Sequence, residues 1–209
     1  MKVGLIIPYY ENSEEAKRRM AWLLETIKRG KSKVKVCVID DGRNTLWLDR
    51  YSKEFKIIHN SHKGVSASRN IGLDYFKNYD YVGFLDADDS ISDDYCKLAY
   101  LECKKNEYDI IDSRYIQSGI EVFGTKEQRE WQCNCIRNGV AGCFFKVKTI
   151  NGARFDENMG NGEDTEFVRR VFDLEKHKKG VFNGIYVYNY GVNPNSIIMR
   201  ASRNEDIYE

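Results

Sequence analysis

The feature that most constrains this chain is an alternation: short apolar runs that end abruptly in acidic or aromatic clusters, separated by helix-like segments. Val3–Ile7 closes at Pro8, Val34–Ile39 breaks at Asp40-Asp41-Gly42, and Tyr81–Leu85 runs into Asp86-Ala87-Asp88-Asp89, with Phe55–His59 as a further strand. Between the first two, Ala16, Met20, Leu23, Leu24 and Ile27 share one face of a helix spanning 13–29. Ser13 stands at its N-cap and Gly30 at its exit. Leu46–Ser52 and Val65–Phe76 read as two more helices. The pattern predicts an α/β fold, a mostly parallel central sheet flanked by helices on both faces. Such sheets seat their ligands beyond the carboxyl ends of the strands. Three polar clusters fall there: Pro8-Tyr9-Tyr10-Glu11, Asp40-Asp41-Gly42 and Asp86–Asp89.

The second half is less regular. Helices are expected over 93–106, 126–136 and 163–175, and strands over 110–116, 120–123, 143–147 and 181–190. The glycine-rich stretch 151–162 reads as a loop feeding the last helix. With no linker or repeat in view, the reading is one domain over 1–209, divided into halves at residues 1–107 and 108–209.

Charge narrows the class. Thirty-three basic and 32 acidic residues leave a net charge of +1, which argues against a nucleic-acid binder. No run of eighteen apolar residues offers a membrane span, and Met1-Lys2 followed by five apolar residues is no signal peptide. A cytoplasmic protein with reduced thiols is expected. Cys37, Cys96 and Cys103 fit core positions, and the C-x-C of Cys133 and Cys135, with Cys143, does not match structural zinc spacings.

The acidic turn 86–89 has two readings. Clustered carboxylates repel, and a hard divalent cation such as Mg²⁺ or Mn²⁺ relieves that repulsion. Alternatively, Asp89 or Ser90 caps the next helix, with Asp93 and Asp94 favouring its dipole. The segment from Asn60 to Gly72, Asn-Ser-His-Lys-Gly-Val-Ser-Ala-Ser-Arg-Asn-Ile-Gly, places Gly64 at a helix entry with Lys63 and Arg69 near its start. That arrangement suits an anion. His59 and His62 show no partner in the sequence, and Tyr186, Tyr188 and Tyr190 alternate along one strand face.

In order and spacing, four segments resemble the family 2 glycosyltransferases of GT-A fold: Ile6–Tyr10, Val38–Gly42, Asn60–Gly72 and Phe84–Asp89. The resemblance is close over roughly residues 1–90. Further on, Gly162-Glu163-Asp164-Thr165-Glu166-Phe167 looks like the family's acidic motif near the acceptor, and Tyr188–Ile197 like its C-terminal loop. Arg43-Asn44 follows the Asp-Asp-Gly where many members have Ser, and Gly191-Val192-Asn193 stands where a His is common.

The resemblance implies a Rossmann-like nucleotide-binding half and an acceptor-binding half. It implies an inverting transfer, assisted by Mn²⁺ or Mg²⁺, from a UDP-sugar to a hydroxyl on a glycan or glycolipid. Pro8, Tyr10 and Glu11 would line the base and ribose pocket, and Asp41 would accept from the uracil. Lys63 and Arg69 would lie beside the nucleotide, Asp86 near the ribose and Asp88 on the metal. Asp164, or else Glu163, would be the general base. Apart from the resemblance, a sugar ring stacks well on an aromatic face, so Trp131, with Glu130, Gln132 and Arg137, either borders the acceptor or anchors a surface helix to the core. Asn193, Ser196 or Arg200 either reach the diphosphate or belong to a plain loop. Polysaccharide biosynthesis is the expected setting, by a monomer or homodimer that touches a membrane at most peripherally. Two alternatives remain open at this point. A sugar-1-phosphate nucleotidyltransferase shares the sheet and the metal, but expects glycines after the first strand. A non-catalytic nucleotide-sugar-binding subunit would need a partner, and would be favoured by an Asp164 remote from the metal site.

Overall fold

The computed structural model describes residues 1–10, 13–42, 45–117, 120–121, 139–173 and 175–188. Its centre is β1 (Val3–Tyr9), flanked by β2 (Lys35–Asp40), β3 (Lys56–His59) and β4 (Tyr81–Phe84) in the spatial order β3-β2-β1-β4, all parallel. Because successive strand residues point to opposite faces, a strand covered on both sides must be apolar throughout. In β1, Val3, Leu5 and Ile7 pack with Met20, Leu23, Leu24 and Ile27 of α1 (Glu14–Arg29). Ile6 packs on the other side with Leu73 and Phe76 at α2 (Val65–Tyr75). Ser13 caps α1 as the sequence predicts, its Oγ accepting from the Ala16 N–H at 3.1 Å. Truncating one of these buried leucines to alanine would cost about 2–5 kcal/mol.

Beyond β4 the sheet changes character. β8 (Cys143–Lys146) runs antiparallel to both β4 and β6 (Ile110–Gln117). β6 lies parallel to β9 (Lys179–Tyr188), with a register shift between Ser113 and Arg114. β5 (Ser90–Ile91) closes the far edge antiparallel to β9, and β7 (Ile120–Glu121) pairs β6. The α/β expectation holds, but the sheet is mixed, with parallel pairing confined to β1–β4 and to β6 with β9. Phe84, Phe155 and Phe167 fill one side of this junction, the last two stacked at 4.0 Å between ring centroids.

Several expected boundaries shift for local reasons. The segment after β2 is a 3₁₀ turn (Leu46–Tyr51), anchored at Thr45, whose hydroxyl donates to Asp40. α3 (Tyr95–Lys105) starts late because Ser90 and Ile91 are taken into β5, and Asp94 at its N-cap makes no side-chain cap bond. Val147–Ile150 adds the short α4, which the sequence pattern concealed. α5 (Glu163–Val171) stops before 175 because Phe172 turns extended and buries its ring. β9 begins two residues earlier than expected. The helix expected over 126–136, Glu130, Trp131, Gln132, Cys133, Cys135, Arg137 and the C-terminal loop from 189 lie outside the described residues. Cys37, Cys96 and Cys103 are buried free thiols, as their positions suggested. Among the described residues, no helix is long and apolar enough to cross a membrane.

Candidate active site

The carboxyl ends of β1, β2 and β4 meet at one edge of the sheet. At the end of β2 the two aspartates divide the work. Asp40 is buried and ties down its own turn, accepting from the Gly42 N–H at 3.0 Å, from Thr45, and from His59 Nδ1 at 2.6 Å. Asp41 reaches forward instead. Its Oδ1 accepts from Asn60 Nδ2 and the Lys63 N–H, both at 2.8 Å, and its Oδ2 from the Gly64 N–H at 2.7 Å. Gly64 holds φ of +91°, a conformation open to glycine at little strain, which brings that N–H onto the carboxylate.

Two expectations about this segment change. The anion seat just before α2 is taken by the protein's own Asp41, and Lys63 serves it through its backbone. His59 and His62, without a visible partner in the sequence, both have one here. His59 bridges Asp40 and Asp49, and those two carboxylates, Asp49 the more strongly, raise its pKa above the ordinary 6.5. His62 stacks on Tyr10 with ring centroids 4.6 Å apart and places Nδ1 3.2 Å from the Asp41 carbonyl. It does so at φ of +50°, an uncommon conformation for a residue with a side chain. Tyr10 is exposed, Pro8 half-buried beside it, and Glu11 lies outside the described residues. The signal for His62 was its place one residue before the Lys-Gly turn; its partner Tyr10, just past β1, could not be read from local sequence.

Arg69 departs furthest from expectation. Far from standing as an open cation at a helix start, it is 3 % exposed. Its Nη1 donates to Glu163 Oε1 at 2.6 Å and its Nη2 to Asp86 Oδ1 at 3.0 Å. Burial works against its charge, but Asp86, Glu163 and Asp164 outweigh that and hold its pKa up. Breaking such a buried pair from one side costs about 3–5 kcal/mol, since the surviving charge is left unpaired. The same contact brings together groups that the sequence separates widely: the acidic turn after β4 and the first turn of α5.

Asp88 is half-buried on that turn. Burial, with the neighbouring Asp86 charge, pushes its carboxyl up to about 6, and Arg19 of α1 opposes the shift. Arg19 also donates to the Asp88 carbonyl at 3.3 Å, a contact the helical pattern gave no reason to single out. Asp89 caps no helix. It is buried and accepts from the Tyr186 hydroxyl, so β9 of the second half holds the turn from behind. Tyr186 is buried, while the Tyr188 and Tyr190 side chains lie outside the description.

Asp164 begins α5 beside Glu163. Burial first and the Glu163 charge second raise its pKa above 3.8, while Arg69 pulls it back. Its Oδ1 accepts from the Thr165 N–H at 2.7 Å. Its Oδ2 lies 2.8 Å from where a Cβ on residue 139 would sit, so only glycine fits there without displacing the carboxylate. Cys143 is buried, its thiol directed to Asp112 at 3.4 Å. Among the described residues no three His, Cys, Asp or Glu side chains gather to hold a metal. A cation at Asp88 would therefore draw its other ligands from substrate and water. The all-oxygen character of the turn and the mutual repulsion of Asp86 and Asp88 fit a hard divalent ion.

Comparison with known proteins bears on this geometry. The model of the family described as "Glycosyl transferase family 2" matches residues 5–182. The "Minor teichoic acid biosynthesis protein GgaA" of Bacillus subtilis (strain 168) is 24 % identical over 226 residues, covering 98 % of this chain and 51 % of GgaA. Among solved structures, S. aureus TarS 1-349 superposes with a TM-score of 0.70 at 16 % identity, covering 90 % of this chain and 60 % of that one. The same fragment in complex with UDP-GlcNAc gives 0.63 at 18 % identity, covering 91 % of this chain and 56 % of that one. The chain thus spans about half of GgaA and under two thirds of the TarS fragment. The TarS likeness is one of fold.

Proposed function

Since this chain belongs to glycosyl transferase family 2, we propose that it is a glycosyltransferase that moves a sugar from a UDP-sugar to a hydroxyl of a glycan or glycolipid, with inversion at the anomeric carbon. One observation carries the reading: Arg69 joins the turn after β4 to the start of α5, which puts Asp164 at the same edge as Asp86. The donor half, 1–107, would seat the nucleotide. Tyr10 offers an exposed ring to the base beside Pro8, and Asp41 keeps acceptor capacity for a ring N–H beyond its three bonds. Lys63 is exposed beside that pocket, and Asp86 would meet the ribose.

In the transfer, the acceptor hydroxyl gives its proton to the Asp164 carboxylate as its oxygen bonds to the anomeric carbon. The bond from that carbon to the β-phosphate oxygen breaks, and UDP leaves with the electron pair. Burial makes Asp164 a better proton acceptor than an exposed aspartate, and Arg69 opposes the rise in its pKa. Glu163, already committed to Arg69, is the poorer candidate for base. A divalent cation at Asp88 would neutralise charge developing on the leaving diphosphate. Residues 108–209 would form the acceptor side.

The UDP-GlcNAc complex of TarS supports trying an N-acetylhexosamine donor first, and the name of GgaA supports a teichoic-acid-type polymer as acceptor. The test is a screen of UDP-sugars for nucleotide release, with and without Mn²⁺. UDP release that needs both metal and acceptor is expected. Pyrophosphate as product would mean nucleotidyl transfer, and binding without turnover would favour a non-catalytic subunit.

A further inference from the structure

Two neighbouring side chains on α2 reach the second half of the molecule by different chemistry. Asn70 forms a reciprocal pair with the backbone of Phe155, donating to its carbonyl at 3.0 Å and accepting from its N–H at 2.8 Å. The same amide donates to Glu157 at 2.8 Å. One residue earlier, Arg69 spans Glu163 and Asp86, with its guanidinium carbon 5.3 Å from the centroid of the Phe155 ring. Its Nε is buried too, without a hydrogen-bond partner among the described residues. A guanidinium enclosed by two carboxylates and an aromatic ring presents no open side to an incoming diphosphate.

The geometry points to Arg69 as a positioning residue for transfer, not a ligand of the nucleotide: with Asn70 it sets the spacing between the Asp86 turn, where the donor sits, and the first turn of α5, which carries Asp164. This rests on the donor-and-base reading above and departs from the place beside the nucleotide that the family resemblance implies for Arg69. The guanidinium is suited to the task because its planar fork meets two carboxylates at once, from residues 17 and 94 positions away. A lysine ammonium is a single point of charge and holds one of them. Every charged group facing Arg69 in the described contacts belongs to the cleft: Asp86, Glu163 and Asp164. Its two carboxylate partners stand on the two elements assigned to the donor and to the base.

Arg69→Lys separates the two roles. A positioning residue predicts UDP affinity, measured by calorimetry with Mn²⁺, within about threefold of wild type, while kcat falls about 100-fold, the scale of a small misplacement of reacting groups. In Arg69→Gln, where the charge is also gone, the acid limb of the pH–rate profile should move upward by about one unit as Asp164 loses its counter-charge. Amide exchange in the unliganded protein needs no donor. Arg69→Lys should speed exchange at both 86–90 and 163–165, leaving β1–β3 unchanged. If neither Arg69 variant folds, Glu163→Gln keeps an acceptor for Nη1 and should show the same pattern at about tenfold. UDP affinity lost by 100-fold with kcat retained, or unchanged exchange at both turns, would overturn the proposal. A wild-type protein that binds no UDP would instead remove the donor reading, and the exchange experiment would still decide the part played by Arg69.

Discussion

The two halves of this sheet were built by different rules. In β1–β4 every strand is parallel, each polar cluster follows its own strand, and the groups that hold Tyr10, Asp40 and Asp41 come from β3 and adjoining loops. Past β4 the sheet is mixed, β6 and β9 pair in parallel with a slip in register, and β5 exists only through its pairing with β9. The first half holds its polar cluster together with its own residues. The second supplies single groups from a distance, and two of them are tied to the first half by a side chain: Glu163, next to Asp164, through Arg69, and Tyr186 through Asp89. Binding and chemistry should therefore be separable by mutation, with nucleotide affinity belonging to the first half and turnover requiring both.

The sharpest break comes from Asp164→Asn, which should reduce transfer about 1,000-fold, the usual scale for a general base, with UDP affinity unchanged by calorimetry. In the wild-type enzyme the acid limb of kcat/KM should sit above the ordinary aspartate value of 3.8, activity falling as pH drops through the raised pKa. Asp88→Ala acts on the other half. It should abolish the dependence of UDP affinity on Mn²⁺ and slow transfer about 100-fold, read from paired titrations with and without metal. Gly139→Ala sharpens the comparison from the acceptor side. Its methyl would press on the Asp164 carboxylate, so kcat should drop about tenfold with donor KM unchanged in initial-rate assays.

The smallest effect concerns the support beneath the pocket. With the folded pKa of His59 raised above 6.5, its contribution is full below that pH and lost as pH rises through the folded value. A plot of Tm against pH should show this decline in wild type and lose it in His59→Asn.

The same contrast explains what could be read in advance. β1, β2 and β4 are apolar runs closed by turn residues, so local pattern locates them within a residue or two, and Ser13 marks α1 because capping is a local act. β5 has two residues, too few for a period, and only the opposing Tyr186 and Val187 make it a strand. Asp89 looked like a cap because the hydroxyl that claims it lies 97 positions away. Arg69 looked like an anion ligand for the same reason: a helix start is visible in sequence, but a carboxylate arriving from α5 is not. The acidic residues of the cleft were legible as types and positions. Which of them are already engaged by the protein, and so withheld from a ligand, required the fold.

A crystal structure with UDP and Mn²⁺ tests the central claim most directly. The account predicts the uracil against Tyr10 and Asp41, the diphosphate with its cation at Asp88, and an opening between that diphosphate and Asp164 wide enough for a sugar ring. UDP found in the hollow on the outer face of α1, beside Trp22 and Arg50, or Asp164 screened from the diphosphate by protein, would contradict it.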